Sequence, residues 1–355
     1  MNLCRHFGTC GGCAHQDLPA DIYRAMKRDL VVGALARSGL ADAAVTDIVE
    51  IPPASRRRAT LKAAKRQGMV ALGFHAARSH DVVDMHECRV LTPALLALVG
   101  SLRGMLAALL RDGQATDVEI AETHAGFDVA LDGGLAGDAT ARGELARWAA
   151  RLKLARVVVG NDAVVELGAP AMRFGKALVK LPPRAFLQPT QEGEAALQSQ
   201  VLKAAKGAKH VADLFAGCGT FTLPLAAQAR VHAVEREGAM LDALAAAARA
   251  TQGLKPVTTE RRDLFKQPLS PPELEPFDTV VLDPPRAGAA AQIAELVKAR
   301  VKRVICVSCD AQSFARDARV MCEAGYAMSP VVPVDQFLWS SHIELVAAFR
   351  AARGT

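Results

Sequence analysis

In the second half of the chain, short apolar runs alternate with longer segments whose apolar residues recur at helical spacing. Val211–Phe215, Val231–Val234, Val280–Leu282 and Val304–Ser308 lack period-two alternation, so they read as strands covered on both faces. Residues 220–228, 237–250, 289–300 and 311–323 read as the intervening helices, and two closing strands are predicted near 326–334 and 343–349. That rhythm predicts an α/β fold, a doubly wound and mostly parallel sheet with an antiparallel edge.

The first half has a different texture. A helix is predicted over 21–38 with Gly39 beyond its end, and another over 92–110, stopped by Asp112-Gly113. Residues 55–66 and Met69–Phe74 predict one hairpin, 116–122 and 126–131 a second, and Asp81–Met85 a further strand. A helix near 142–153 and short strands to Lys180 complete an α+β region. Leu181-Pro-Pro-Arg marks the change of rhythm, so we expect two domains, 1–180 and 181–355.

Composition supports a folded chain: of 355 residues 51% are apolar and 23% charged, which argues against wholesale disorder. No apolar run of about 18 residues occurs, and the first residues lack an apolar signal core, so we expect a cytoplasmic protein without a membrane span, and a monomer. The formal charge of +6 is too mild to decide a partner. Its distribution is more informative: Arg56, Arg57, Arg58, Lys62, Lys65 and Arg66 occur within twelve residues with no acid among them. Such a run is either a solvated face or a track for phosphates, with His75, Arg78 and His80 as possible extensions.

Chemistry concentrates at the predicted strand ends. Asp213-Leu-Phe215-Ala-Gly217-Cys-Gly219-Thr220 carries a strand into Gly-x-Gly and a helix, and Glu235 follows at the end of the next strand. A carboxylate so spaced can accept from ribose hydroxyls. The third glycine of the dinucleotide fingerprint is missing, so a ribose-bearing cofactor without phosphates fits better, such as S-adenosylmethionine. Asp263 is placed by position to take the adenine amine. Asp283-Pro284-Pro285-Arg286 lies at the end of a third strand and Cys309 at the end of a fourth. Cys306, Cys218 and Cys322 read as structural. A thiol beside a methyl donor points to pyrimidine C5 chemistry: addition at C6 makes C5 nucleophilic, and a base must later remove the C5 proton. His342 and Glu344, two apart near the chain end, both offer that base, though a solvated edge strand would look the same.

Four segments then resemble the RNA uracil-5-methyltransferases, which make 5-methyluridine in rRNA and tRNA: Asp213–Thr220, Asp283–Gly288, Val307–Cys309 with Ala315-Arg316-Asp317, and Phe337 through His342-x-Glu344. The family's Phe-x-Gln is matched by Phe186-Leu187-Gln188. The resemblance implies Cys309 as nucleophile, Glu344 as the base, and Gln188, Phe215, Glu235, Asp283, Thr220 and Asp263 around S-adenosylmethionine. Cys4-x5-Cys10-Gly-Gly-Cys13, with Cys88 later, is similar to the rRNA-directed members that hold a 4Fe–4S cluster, and the N-terminal β-barrel that some members carry is expected to be absent. The same four thiolates would also suit zinc. The implied substrate is a uridine in a single-stranded loop of 23S rRNA, flipped out to meet the thiol. Asp310-Ala311 replaces the family's Asn-Pro, placing an extra carboxylate beside the thiol that would raise its pKa slightly, and Leu338 replaces a proline. Two other readings are an exocyclic-amine methyltransferase using Asp283-Pro-Pro, for which Cys309 would be dispensable, and a non-catalytic iron–sulfur RNA-binding protein.

Overall fold

The computed structural model of the protein describes residues 3–132 and 139–352. Helix α1 (Ala20–Arg37) and the short strand β1 (Val49–Glu50) come first, then the hairpin β2 (Arg58–Arg66) and β3 (Met69–Gly73). Along β2, Ala59, Leu61 and Ala63 are buried while the residues between them face outward, the period-two pattern of a sheet with one covered face. Helix α2 (Pro93–Leu109) follows, with Thr92 as its N-cap accepting from the Leu95 amide at 3.2 Å and Pro93 in the first turn. β4 (Ala115–Thr123), β5 (Gly126–Leu131), α3 (Ala139–Leu152), β6 (Leu154–Val159) and β7 (Asp162–Glu166) complete a six-stranded sheet of order β3-β2-β4-β5-β6-β7. α2 and α3 cover its inner face, where Leu61, Leu72, Leu102, Met105, Val118 and Val157 form the core.

The expected strand over 81–85 is not a regular strand. This segment runs against the edge of β3 through Val83 N–H to the Phe74 carbonyl (2.9 Å) and Met85 N–H to the Leu72 carbonyl (3.0 Å). A side chain at Gly73 would collide with the Val83 carbonyl, so the close pass depends on that glycine.

A small hairpin, β8 (Ala171–Phe174) and β9 (Ala177–Lys180), leads through residues 181–190 to α4 (Gln191–Ala204). Then come β10 (His210–Leu214), α5 (Thr222–Leu225), β11 (Arg230–Glu235), α6 (Gly238–Ala250), β12 (Val257–Arg261), α7 (Pro271–Leu274) and β13 (Thr279–Leu282). The chain ends with α8 (Ala290–Ala299), β14 (Arg303–Ser308), α9 (Ala311–Glu323), β15 (Tyr326–Met328), β16 (Val332–Asp335) and β17 (Glu344–Ala351). The sheet order is β1-β16-β17-β14-β13-β10-β11-β12, with β15 also on β17. β10 to β14 are parallel neighbours, and β17 runs antiparallel against β14. Val304 and Cys306 pack with α1, α8 and α9 on one face, while Ile305 and Val307 pack with α4 on the other. This is the expected α/β sheet.

Two further elements differ from expectation. The helix predicted over 220–228 shrinks to the single turn of α5, which starts after Phe221; Pro224 has no N–H for the Thr220 carbonyl, which accepts from Gln198 Nε2 (3.0 Å). The strand near 326–334 is broken at Ser329-Pro330 into β15 and β16. Across the boundary placed near residue 180, α1 packs on α9, and β1 pairs with β16 at the edge of the second sheet.

Candidate active site

The carboxyl ends of β10, β11, β13 and β14 open into one cavity of about 480 Å³, the place where open α/β sheets hold ligands. Because β17 is antiparallel, its first residue, Glu344, stands at this same edge. The Ser308–Leu345 pairing, extended by one residue, sets Cys309 across from Glu344. Gln188, Phe215, Glu235, Asp263, Asp283, Cys309 and Glu344 all line the cavity. Thr220 does not; it sits on the turn behind the glycines with its carbonyl on Gln198.

On one side the backbone does the shaping. Phe215 has φ +64°, strained for a side chain of that bulk, and turns the chain toward Gly217 and Gly219. At Gly219, φ +96°, a Cβ would press to 3.0 Å of Leu244 and 3.1 Å of Leu223. Glu235 accepts three backbone N–H groups: Gly217 at 3.0 Å, Arg236 at 2.7 Å and Glu237 at 3.0 Å. A carboxylate has about four acceptor positions, so one remains for a ligand hydroxyl. Phe215 and Phe265 form a tilted aromatic pair 5.4 Å apart, and Asp263 accepts from the Phe265 amide at 3.1 Å.

The other side is crowded with acids. Burial pushes the Glu344 carboxyl up to about 7, against the hydrogen bond from Gln336 that favours its ionised form. Burial also lifts Asp213 to about 7, although Thr222 donates to it. Asp283 is raised well above its ordinary value by burial and by the nearby Glu344 and Asp213. Burial, then Glu344 and Asp283, pushes the Cys309 thiol up to about 12, and Arg286 alone among the neighbouring side chains pulls it back. The Asp310 carboxylate turns away to cap α9, accepting from the Gln312 and Ser313 amides at 3.0 and 2.9 Å. The acids acting on the thiol are therefore Glu344 and Asp283, not the substituted neighbour.

Of the two residues offered as base, Glu344 lines the cavity and His342 does not. His342 Nδ1 lies 3.1 Å from an Arg286 guanidinium nitrogen. Arginine has no acceptor, so this nitrogen is the unprotonated one. Burial and the Arg286 charge depress the histidine's pKa accordingly.

Cys4, Cys10, Cys13 and Cys88 converge on a second, much smaller pocket, walled by Phe7, Phe74 and Met85. Burial raises the Cys10 and Cys88 thiols and takes Cys13 to about 11, and the other cysteines of the set add to the Cys13 shift. The Gly12 amide points at the Cys10 sulfur at 3.4 Å. Among the described residues, no group of three or more His, Cys, Asp or Glu is placed to hold a metal ion.

The basic run is not a continuous phosphate track. Arg57 is buried and ion-paired with Glu194 at 2.7 Å, its Nε donating to the Gln188 carbonyl. Lys65 donates to the carbonyls of Ala107 and Leu110 at the end of α2, where a cation complements the helix dipole. Lys62 pairs with Asp117 at 3.0 Å, and Arg56 Nε donates to the Arg58 carbonyl. Arg58 lies over the ring of Phe186 at 5.1 Å, beside the cavity mouth, and Arg66, His75, Arg78 and His80 are exposed.

Gln336, Tyr23 and Lys27 were not singled out from sequence. Lys27 carried a readable signal, as the one charge in the apolar stripe of α1.

A parallel sheet with its glycine turn, a carboxylate at the next strand end and a closing antiparallel strand defines the class of Rossmann-like methyltransferases. The match is concrete: the structure superposes on the crystal structure of the tRNA (uracil-54, C5)-methyltransferase of Pyrococcus abyssi in complex with S-adenosyl-L-homocysteine. The TM-score is 0.72 over 95% of this chain and 85% of that one, at 19% identity, a likeness of fold. The profile of the tRNA (uracil-5-)-methyltransferase family matches residues 148–350. An uncharacterized RNA methyltransferase of Brucella suis biovar 1 is 43% identical over 351 residues, covering 99% of this chain and 84% of the relative. One of Rhizobium meliloti is 42% identical over 97% of this chain and 84% of its own length. The chain belongs to the tRNA (uracil-5-)-methyltransferase family.

Proposed function

We propose that this protein methylates C5 of a uridine in RNA, a loop of 23S rRNA, through a covalent bond between Cys309 and C6. The observation that carries the reading is the meeting of Cys309, Glu344 and Asp283 with Glu235 and Phe215 around one cavity. The methyl group comes from S-adenosylmethionine. For that donor, Glu235 offers its remaining lone pair to a ribose hydroxyl, Asp263 an acceptor for the adenine amine, and Phe215 and Phe265 an aromatic wall. Gln188 and Asp283 line the same cavity as the thiol.

Cys309 gives up its proton to solvent, with Arg286 favouring the thiolate, and adds to C6 while the C5–C6 π pair moves into an enolate; C5 then takes the methyl group as the donor's sulfur leaves as the neutral thioether. Glu344, with a pKa near neutrality, is matched to a proton transfer at physiological pH. Its carboxylate takes the C5 proton, the C–H electrons form the C5–C6 double bond, and the C6–S bond breaks to return the thiolate.

The four N-terminal cysteines fit an iron–sulfur cluster in donor chemistry: four thiols lining one small pocket, with a backbone amide aimed at sulfur. Cys4, Cys10, Cys13 and Cys88 would hold the 4Fe–4S cluster, which we read as a structural tie between the N-terminal segment and the end of the first sheet. Positive charge for RNA comes from Arg58, Arg66, Arg78 and Arg286, all partly or fully exposed.

Transcripts of rRNA domains incubated with the protein and labelled donor test the reading, with nucleoside mass spectrometry as readout. 5-Methyluridine is expected, with complete loss of turnover in Cys309→Ala; an N-methylated base, or near-normal activity of Cys309→Ala, overturns it.

A further inference from the structure

Helix α1 buries Tyr23, Val31, Ala34 and Leu35, and in the middle of that stripe stands Lys27, with 0% of its surface exposed. Helical spacing would place a leucine there. An ammonium has three donors, and Lys27 uses three on one loop: the Asp335 carboxylate at 2.6 Å, the Phe337 carbonyl at 3.2 Å and the His342 carbonyl at 2.5 Å. The second Asp335 oxygen accepts from the Tyr23 hydroxyl at 2.6 Å, and the Tyr23 oxygen accepts from the Trp339 amide at 2.7 Å. The Trp339 carbonyl takes the Ala14 and His15 amides at 2.8 and 3.2 Å. Loop 336–343 is thereby tied at residues 337, 339 and 342, and at Asp335, the last residue of β16, where it begins.

Everything functional at this edge of the cavity is attached to that loop. Gln336 donates to Gln188 at 2.7 Å and hydrogen-bonds Glu344. His342 holds Arg286, and Glu344 is the next residue but one, paired with Val334 across β16 and β17. A buried ion pair is a poor device for stability alone, since apolar or neutral replacements of both partners are often as stable. A compact cation that reaches a carboxylate and two divergent carbonyls is a good device for fixing a loop.

We propose that Lys27, seconded by Tyr23, is a positioning residue for the reaction: it sets loop 336–343 so that the Glu344 carboxylate meets the C5 proton. This rests on the reading of Glu344 as the base. Neither Lys27 nor Tyr23 lines the cavity, so neither touches the reacting atoms. In the step that depends on them, the proton moves from C5 to Glu344, the C–H pair becomes the C5–C6 π bond, and sulfur leaves C6 with the electrons of its bond.

The test is the double variant Lys27→Met/Asp335→Asn, which removes the charge pair together and keeps the Tyr23 contact. Its melting temperature should stay within a few degrees of the parent. kcat on uridine RNA should fall about tenfold or more with KM for the donor unchanged, the pattern of a lost transition-state contact. Methylated RNA covalently bound through Cys309 should accumulate on denaturing gels, because elimination is the slowed step. Wild-type kcat, or an equal loss of adduct formation on 5-fluorouridine RNA and of turnover on uridine RNA, overturns the proposal. Should the double variant not fold, Tyr23→Phe decides on the same ratio of adduct to product, and a parental ratio overturns the proposal. Absence of any adduct between the parent enzyme and 5-fluorouridine RNA would sink the covalent reading itself, and this inference with it.

Discussion

Arg286 and His342 are held 3.1 Å apart at the rim of the cavity, and the direction of that hydrogen bond is fixed by arginine having nothing with which to accept. The consequence reaches Cys309, because Arg286 is the one side-chain charge that pulls the thiol down against Glu344 and Asp283. His342→Ala frees the guanidinium to swing into solvent. Both side chains are exposed, so the bond contributes only about 1 kcal/mol, and covalent adduct formation on 5-fluorouridine RNA should slow about fivefold. Arg286→Ala removes the charge itself and should cost roughly 10–100-fold in the same assay. Stopped-flow or quenched gels at fixed pH measure both.

The carboxyl cluster makes stability and activity run in opposite directions with pH. Glu344 and Asp213 are each lifted to about 7 in the fold, whereas an unfolded chain titrates them near 4. The native state therefore holds more protons between about pH 4 and 7. Stability from these groups is complete below the unfolded pKa and is lost as pH rises through the folded one, with a slope of up to about 1.4 kcal/mol per pH unit per group. Proton abstraction needs the ionised form, so the rate of adduct breakdown should rise over the same interval and level off above about pH 7, while adduct formation by the Cys309 thiol keeps rising with pH. Glu344→Gln should flatten its share of the stability slope and lower kcat by about 10²–10⁴. Melting scans and initial rates between pH 5.5 and 8.5 test the two signs together.

Much of this was legible because the strands that make the cavity are buried on both faces. Val211–Leu214, Thr279–Leu282 and Arg303–Ser308 show as apolar runs, and whatever follows each at its carboxyl end must face the crevice. Asp283 and Cys309 were found that way; the closing strand offered both His342 and Glu344, and the family resemblance, not strand position, singled out Glu344 and Phe215. What escaped depends on contacts between residues distant along the chain. Nothing local to Lys27 tells that its partner is Asp335, 308 residues away. The basic run misled for a related reason: charge is visible in sequence, but burial of Arg57 against Glu194, 137 residues on, is not.

Because Arg57 and Arg66 have such different surroundings, they should separate stability from RNA binding. Arg57→Met leaves Glu194 buried without its partner, which costs about 3–5 kcal/mol, and Arg57→Met with Glu194→Gln should recover part of that. Neither variant should change how affinity depends on salt. Arg66→Ala should leave the melting temperature unchanged, since the residue is exposed. If it touches a phosphate, the slope of log K against log salt falls by about 0.7–0.9. Urea melts and binding titrations at several salt concentrations make the comparison.

The cysteine pocket yields a prediction that distinguishes a polynuclear centre from a single ion. Burial favours the protonated thiols of Cys10, Cys13 and Cys88, with Cys13 pushed up to about 11. Binding a metal centre must displace those protons, and the fold gains whatever the centre binds more tightly than the unfolded chain does. Protein isolated without oxygen should carry roughly four irons and four sulfides per chain, with a broad visible absorption. One zinc and no iron would overturn the cluster assignment. Cys13→Ser and Cys88→Ser should each lose the absorption and lower the melting temperature by about 5 °C or more. The loss should extend beyond the pocket, because the Ala14 and His15 amides next to Cys13 hold the Trp339 carbonyl of the loop that ends at Glu344. Hydrogen exchange at residues 336–343 should therefore quicken in Cys13→Ser, and protection equal to the parent's would show that the pocket and the loop are independent.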